Sequence, residues 1–433
     1  MILLLKQHLR NKRHYIFTFC SQMFALFLSI WALKLAAITF DPYSFGLYNI
    51  VRRIISMINF PLLIGLGISI PIYIAKGKND KMKISPYILT ALLFWFTVTT
   101  LLFVVNIFAG RGLIVFLFNS YTPELLPPLI LNFSALYLYS ILYAIYRGEQ
   151  DFWRANLFQI VAAGLMPVLA IRFCDQSVLG FLLYLGIFWM SINLMVLYHI
   201  IKKGMLQNVS FSACKMAFKD ILWFGLPRLP GEFALFGLMA FPLFFIAKTV
   251  SMEKAGSVAV GFTLVQLVAS IFEFMGTILL PKTVILISEN RYSELGMAVK
   301  KILFISVIAS IIISSFIFIN LNWLLDFLDK GKFTSDISEI NVILYCIPFY
   351  IIYIIVRNPL DAIDRKPYNM YNLVFCFIVQ MLVLFLGENF FTINTIYSLS
   401  VVVPLTFLGI FTFLRWNLTL KKYYGEKSIN SCC

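Results

Sequence analysis

Residues 16–40 read IFTFCSQMFALFLSIWALKLAAITF, a run in which Lys34 is the only charge. As a helix the run is about 38 Å long, more than the ~30 Å hydrocarbon core of a bilayer. It follows Lys6, Arg10, Lys12 and Arg13. A cleaved leader has a shorter apolar core with a small-residue site behind it, so the stretch reads as a retained first membrane helix. Working outward, eleven more apolar runs follow, at 49–74, 87–108, 127–146, 157–173, 178–201, 229–250, 256–280, 303–324, 340–357, 370–387 and 392–414. The ten-residue alternation of a membrane barrel is absent, so the spans are helices and the fold class is an all-α polytopic membrane protein with twelve transmembrane helices. A chain that is 61% hydrophobic and 13% charged, with a mean hydropathy of +0.89, has no soluble surface to offer.

The net charge of +15 does not point to nucleic acid, because the basic residues sort by loop and no reading domain accompanies them. With the N-terminus in the cytoplasm, 26 of the 35 Lys and Arg fall in the tails and loops of that side. This is the positive-inside asymmetry of a protein with both termini cytoplasmic. The longest cytoplasmic segment, 202–228, divides the chain into an N-terminal six-helix lobe (1–201), a linker, and a C-terminal six-helix lobe with a short tail (229–433).

The halves repeat. Gly46 and Pro71 recur 210 residues on as Gly256 and Pro281, and Phe24-Ala25-Leu26-Phe27 recurs one residue off that spacing as Phe233-Ala234-Leu235-Phe236. The two glycines are expected to open the second helix of each half, and the prolines to close it. Six spans per half give both halves one orientation, related by an axis along the membrane normal, with a pathway between them.

Polar residues inside spans are the site candidates, because they are costly unless wet or paired. In the second span Asn49, Arg52, Ser56 and Asn59 share one helical face with Arg53 beside them, and in the eighth Gln266, Ser270, Glu273 and Thr277 do the same. Two readings stand for Arg52 and Arg53: they line the cavity, or they reach the headgroups along their apolar stems. Lys34 shares the second option. Glu273, about seven residues from its nearer helix end, is the candidate for ion coupling. Arg228, Glu232 and Lys248 lie at span ends and read as ordinary interfacial charges.

Catalytic sets are not found. There is no phosphate-binding glycine loop, and His8, His14 and His199 form no metal set. Asp326, Asp329, Asp336 and Glu339 come with Lys330 and Lys332 and read as a solvated outer loop. The seven cysteines suggest no disulfide frame, and Cys432-Cys433 reads as an inert tail. No cofactor or metal is expected.

Asp41-Pro42-Tyr43-Ser44-Phe45-Gly46-Leu47-Tyr48, Gly65-Leu66-Gly67, Pro71, Arg147-Gly148, Gly225-Leu226-Pro227, Pro281 and Gly331-Lys332-Phe333, in this order, resemble the Wzx-type lipid-linked oligosaccharide flippases. The resemblance implies two six-helix lobes around a central cavity. It implies a bacterial inner-membrane protein, not an enzyme, that moves an undecaprenyl-pyrophosphate-linked oligosaccharide between leaflets for O-antigen or capsule synthesis. Coupling to a proton or sodium ion, and contact with membrane lipids and other polysaccharide assembly proteins, come with it. Related lipid II flippases have fourteen spans, and related multidrug exporters often carry acidic first-lobe residues where this lobe's candidates are basic. On this reading Arg52, Arg53 and Lys34, with Ser56, Asn59 and Gln266, meet the headgroup, and Glu273 responds to the ion. The alternatives are a cation-coupled multidrug antiporter and a membrane-embedded polymerase or glycosyltransferase, for which the loop near 325–339 is short.

Overall fold

The computed structural model describes residues 2–77, 80–118, 123–207, 209–329, 337–363, 368–387 and 390–430. All regular elements among them are helical: α1 (Ile2–Thr39), α2 (Pro42–Leu62), α3 (Leu66–Gly77), α4 (Lys81–Phe118), α5 (Leu126–Gly148), α6 (Phe152–Gln159), α7 (Met166–Phe173), α8 (Val178–Lys202) and α9 (Phe211–Gly225) come first. They are followed by α10 (Leu229–Thr249), α11 (Met252–Ser288), α12 (Tyr292–Ile319), α13 (Leu321–Asp329), α14 (Ile337–Leu344), α15 (Ile347–Ile363), α16 (Tyr368–Leu386) and α17 (Ile393–Asn430). Among the described residues eleven helical runs are long and apolar enough to cross a membrane, and α2 with α3, bent by 45°, makes twelve. The protein is a multi-pass membrane protein. The chain forms two compact units, Met1–Leu229 and Pro230–Cys433.

In the first unit α5 is central, packing on α3, α4 and α8. Ile70, Ile74, Ile141, Leu142 and Ile145 are buried there. Buried amides tie α5 to α8: Asn132 Nδ2 donates to the Leu182 carbonyl at 2.6 Å and Asn193 Nδ2 to the Ala135 carbonyl at 2.7 Å. A buried amide left unpaired costs more than a paired one gains, so such bonds fix how the helices seat. The 202–228 stretch, expected as a linker, contains α9, whose Ala217, Ile221 and Gly225 are buried as it packs on α3 and α4. Tyr87 donates to Asp220 at 2.7 Å and Phe94 stacks on Phe218, which fasten α9 to α4.

In the second unit α15 is the central helix, against α11, α12 and α17. Gln380 on α16 donates to the carbonyls of Leu238 and Ser400, each at 2.9 Å.

Three expectations are corrected. The prolines do not close their helices: α3 continues past Pro71 to Gly77, and α11 past Pro281 to Ser288. The second span is broken at 63–65. Pro61 has no N–H for the Met57 carbonyl, and the chain then turns through Ile64 (φ 48°) and Gly65 (φ 69°). Glu339 is not a solvated loop residue. It is 7% exposed and pairs with Lys254 at 3.1 Å, while Ser338 Oγ donates to its other oxygen at 2.6 Å. Asp326 is exposed. Lys330, Gly331-Lys332-Phe333, Asp336 and Cys432-Cys433 lie outside the described residues, as does the Asp329 side chain.

Candidate functional site

The second span begins where its sequence says it should. Asp41 caps α2, accepting from Ser44 N at 3.1 Å and Ser44 Oγ at 2.6 Å, with Pro42 in the first turn. The Ser44 hydroxyl and the backbone N–H groups hold the Asp41 carboxyl below its usual range. The polar row that follows does not share one environment. Asn49 is buried and donates to the Phe45 carbonyl at 2.9 Å, and Ser56 Oγ donates back to the Arg52 carbonyl at 3.0 Å. Arg52 is exposed, its Nη1 donating to Tyr48 Oη at 2.8 Å with the guanidinium 5.1 Å from that ring. Arg53 is half-buried beside it. Asn59 is fully buried, with no hydrogen-bond partner for either amide atom among the described residues. Lys34 is half-buried with its ammonium 5.9 Å from the Trp31 ring.

The break after α2 is clamped on both sides. Tyr137 of α5 donates to the Leu62 carbonyl at 2.9 Å. From α9, Gly225 lies so close to Ile64 that a Cβ there would sit 1.7 Å from the Ile64 carbonyl oxygen, and a Cβ on Gly65 would be 3.0 Å from Gly225 Cα. The sequence segments Gly65-Leu66-Gly67 and Gly225-Leu226-Pro227 thus meet in space, because neither contact glycine carries a side chain.

The row on α11 is more open: Gln266 and Glu273 are exposed and Ser270 is half-buried, donating to the Gln266 carbonyl at 2.8 Å. The Thr277 side chain lies outside the described residues. Glu273 is paired with Arg357 of α15, Oε1 to Nη2 at 3.1 Å, with side-chain exposures of 55% and 26%. Gly276 permits the approach, since a Cβ there would be 2.8 Å from Asn358 Nδ2 and 2.9 Å from the Ile354 carbonyl. From α16, Asn369 Nδ2 donates to the Arg357 carbonyl at 2.9 Å and to Asp361 at 2.8 Å, which fixes the end of α15.

Arg357 was not among the sequence candidates, yet the repeat pointed to it. At the spacing of 210, Ile141, Tyr143, Ile145 and Arg147 recur as Ile351, Tyr353, Ile355 and Arg357. The recurrence extends to geometry: the Arg147 guanidinium is 5.8 Å from the Tyr143 ring and that of Arg357 is 5.7 Å from the Tyr353 ring. Such contacts suit a planar cation held over an aromatic face four residues earlier in the helix. Glu273 has no such equivalent, for its counterpart is Leu63, at the break.

Known proteins share the fold that carries these residues. The MatE family model matches residues 231–386. The structure resembles the outward-facing conformation of a multidrug resistance MATE family transporter of the MOP superfamily, with a TM-score of 0.71, 17% identity, and 96% of this chain and 97% of that one covered. The chain has the fold of a MATE transporter. The inward-facing conformation of such a transporter aligns with a TM-score of 0.75, 15% identity, and 94% of this chain and 96% of that one covered. MATE proteins are transporters, not enzymes. None of the curated proteins matches this chain in sequence. No group of His, Cys, Asp and Glu able to hold a metal ion occurs among the described residues.

Proposed function

We propose that this chain is an ion-coupled secondary transporter of the bacterial inner membrane, working by alternating access on a bulky amphiphilic solute. Two cargoes fit. The likeness to multidrug MATE transporters over nearly the whole chain backs antiport of organic cations more directly than it backs an oligosaccharide flippase. The geometry favours an anionic cargo, and one observation carries that reading: Arg52 is exposed on a membrane helix, held by Tyr48 with no carboxylate in contact among the described residues. A cation there repels an organic cation and attracts phosphate, for which the planar guanidinium fork is suited. The sequence motifs shared with oligosaccharide flippases point the same way.

A deletion strain separates the two cargoes. Loss of surface polysaccharide, with lipid-linked repeat units accumulating on the cytoplasmic face, supports the flippase; hypersensitivity to cationic drugs with normal polysaccharide selects the antiporter. An Arg52→Ala, Arg53→Ala double variant at normal protein level is expected to abolish export in the first case. Retained export removes the headgroup role of these residues.

A further inference from the structure

The two arginine brackets differ in one respect. Arg147 is exposed over Tyr143 with no carboxylate in contact among the described residues, whereas Arg357, over Tyr353, meets Glu273. The bracket therefore forms in the first unit without an acidic partner, so Glu273 is not needed to hold an arginine in that position. Nor is the pairing of the strong kind. A carboxylate docked squarely on a guanidinium makes two parallel bonds; Glu273 makes one, through Oε1 at 3.1 Å, and its side chain is 55% exposed. A one-point pair open to water contributes little stability. A phosphate, with more charge and more acceptor oxygens, competes with it.

The position along the helix matters as well. Glu273 stands 21 residues after Met252, about 31 Å of helix rise, and Arg357 six residues before the end of α15. Arg357 lies in the end of α15 that the loop charges assign to the cytoplasm, where cargo is loaded, and Glu273, 15 residues before Ser288, lies near the middle of α11. Two further carboxylates lie near Tyr353, Asp361 one turn beyond Arg357 on α15 and bonded by Asn369, and Glu232 of α10, but the ion pair of Arg357 among the described residues is with Glu273.

We propose that Arg357 is an anion-binding residue for the phosphate-bearing end of the cargo, and that Glu273 is a tethered competitor which occupies it until cargo arrives. Substrate displaces the carboxylate, and the released carboxylate is then free to take up a cation. This rests on the reading of the protein as a transporter of anionic cargo.

The test is binding to the full chain in phosphatidylcholine nanodiscs, followed by calorimetry with farnesyl pyrophosphate, inorganic pyrophosphate and farnesol. Glu273→Gln is expected to bind farnesyl pyrophosphate about tenfold more tightly than wild type, and Glu273→Gln with Arg357→Gln to lose that gain; farnesol is expected to show neither effect. An equal gain for inorganic pyrophosphate assigns the site to phosphate alone, and a gain confined to the farnesyl compound assigns it to a lipid headgroup. Glu273→Ala serves where the glutamine variant does not give a monodisperse protein. The proposal is overturned if neither Glu273 variant binds more tightly, or if the gain survives Arg357→Gln. Wild type that binds pyrophosphate while the Glu273 variants gain nothing overturns the proposal and leaves the anionic cargo reading standing. If no form binds either pyrophosphate while wild type binds ethidium, the anionic cargo reading falls too.

Discussion

α2 and α11 carry glycine as their fifth residue, Gly46 and Gly256, and each glycine is followed 25 residues later by a proline, Pro71 and Pro281. Between those marks they differ. The first helix stops at Leu62 and resumes at Leu66, whereas the second runs unbroken to Ser288. The cause is local: Pro61 and Gly65, which remove a donor and permit positive φ, have Ile271 and Met275 as counterparts. At the position equivalent to Leu63 of the break, the second helix carries Glu273. The two equivalent helices thus put the same repeat position to different uses. One frees backbone groups and is clamped by Tyr137 and Gly225; the other stays regular and carries a charge across to α15.

Substitutions at the contact points test this contrast. The largest effect is expected at Gly225→Leu, because any Cβ meets the Ile64 carbonyl at 1.7 Å and the obstacle is backbone. A loss of about 3 kcal/mol or more is expected, seen as loss of monodisperse protein in size-exclusion profiles; a wild-type profile would mean α9 does not seat on the break. Next comes Gly276→Val, which pushes α11 from Asn358 and the Ile354 carbonyl. It is expected to cost about 2 kcal/mol in thermal melts and to remove the binding gain of Glu273→Gln, as the pair is held by that approach. Gly65→Ala forces a side chain into the left-handed region at φ 69° and is expected to cost about 1–2 kcal/mol. Met275→Ala, its counterpart in the regular helix, carries no such backbone penalty, so equal melting shifts from backbone strain in the two variants would erase the contrast.

The smallest effect is expected at the start of α2. Asp41→Ala removes a cap worth about 1 kcal/mol. The Asp41 carboxyl is held below its unfolded value, so its contribution is present above that value and is lost as pH falls through the carboxylate range. The melting difference between variant and wild type is expected to shrink on acidification; a difference that grows would contradict the cap.

Not all of the site was legible in the sequence. Apolar length marked the spans, and the face containing Gln266 and Glu273 followed from helical spacing, because both depend on neighbours within one helix. Asn59 shares its face with Arg52 on α2, yet the arginine is exposed and the asparagine fully buried. Helical spacing cannot tell them apart, since what covers one and not the other comes from elements distant in sequence. Glu339 read as solvated beside its acidic neighbours, but Lys254, 85 residues away, takes it out of water. Arg357 was passed over although Ile141, Tyr143, Ile145 and Arg147 already carried its pattern.

By itself the sequence determined that the chain is an all-helical membrane protein and that Gly46, Pro71 and Arg147 recur 210 residues on as Gly256, Pro281 and Arg357. These follow from hydropathy over a span and from residue order, both properties of the linear chain. Only the tertiary structure decided that α2 breaks after Leu62 and Gly225 seals the break, that Glu273 meets Arg357, and that Arg147 meets no carboxylate among the described residues. Those outcomes depend on which helices approach closely enough for a missing Cβ or a single charge to matter.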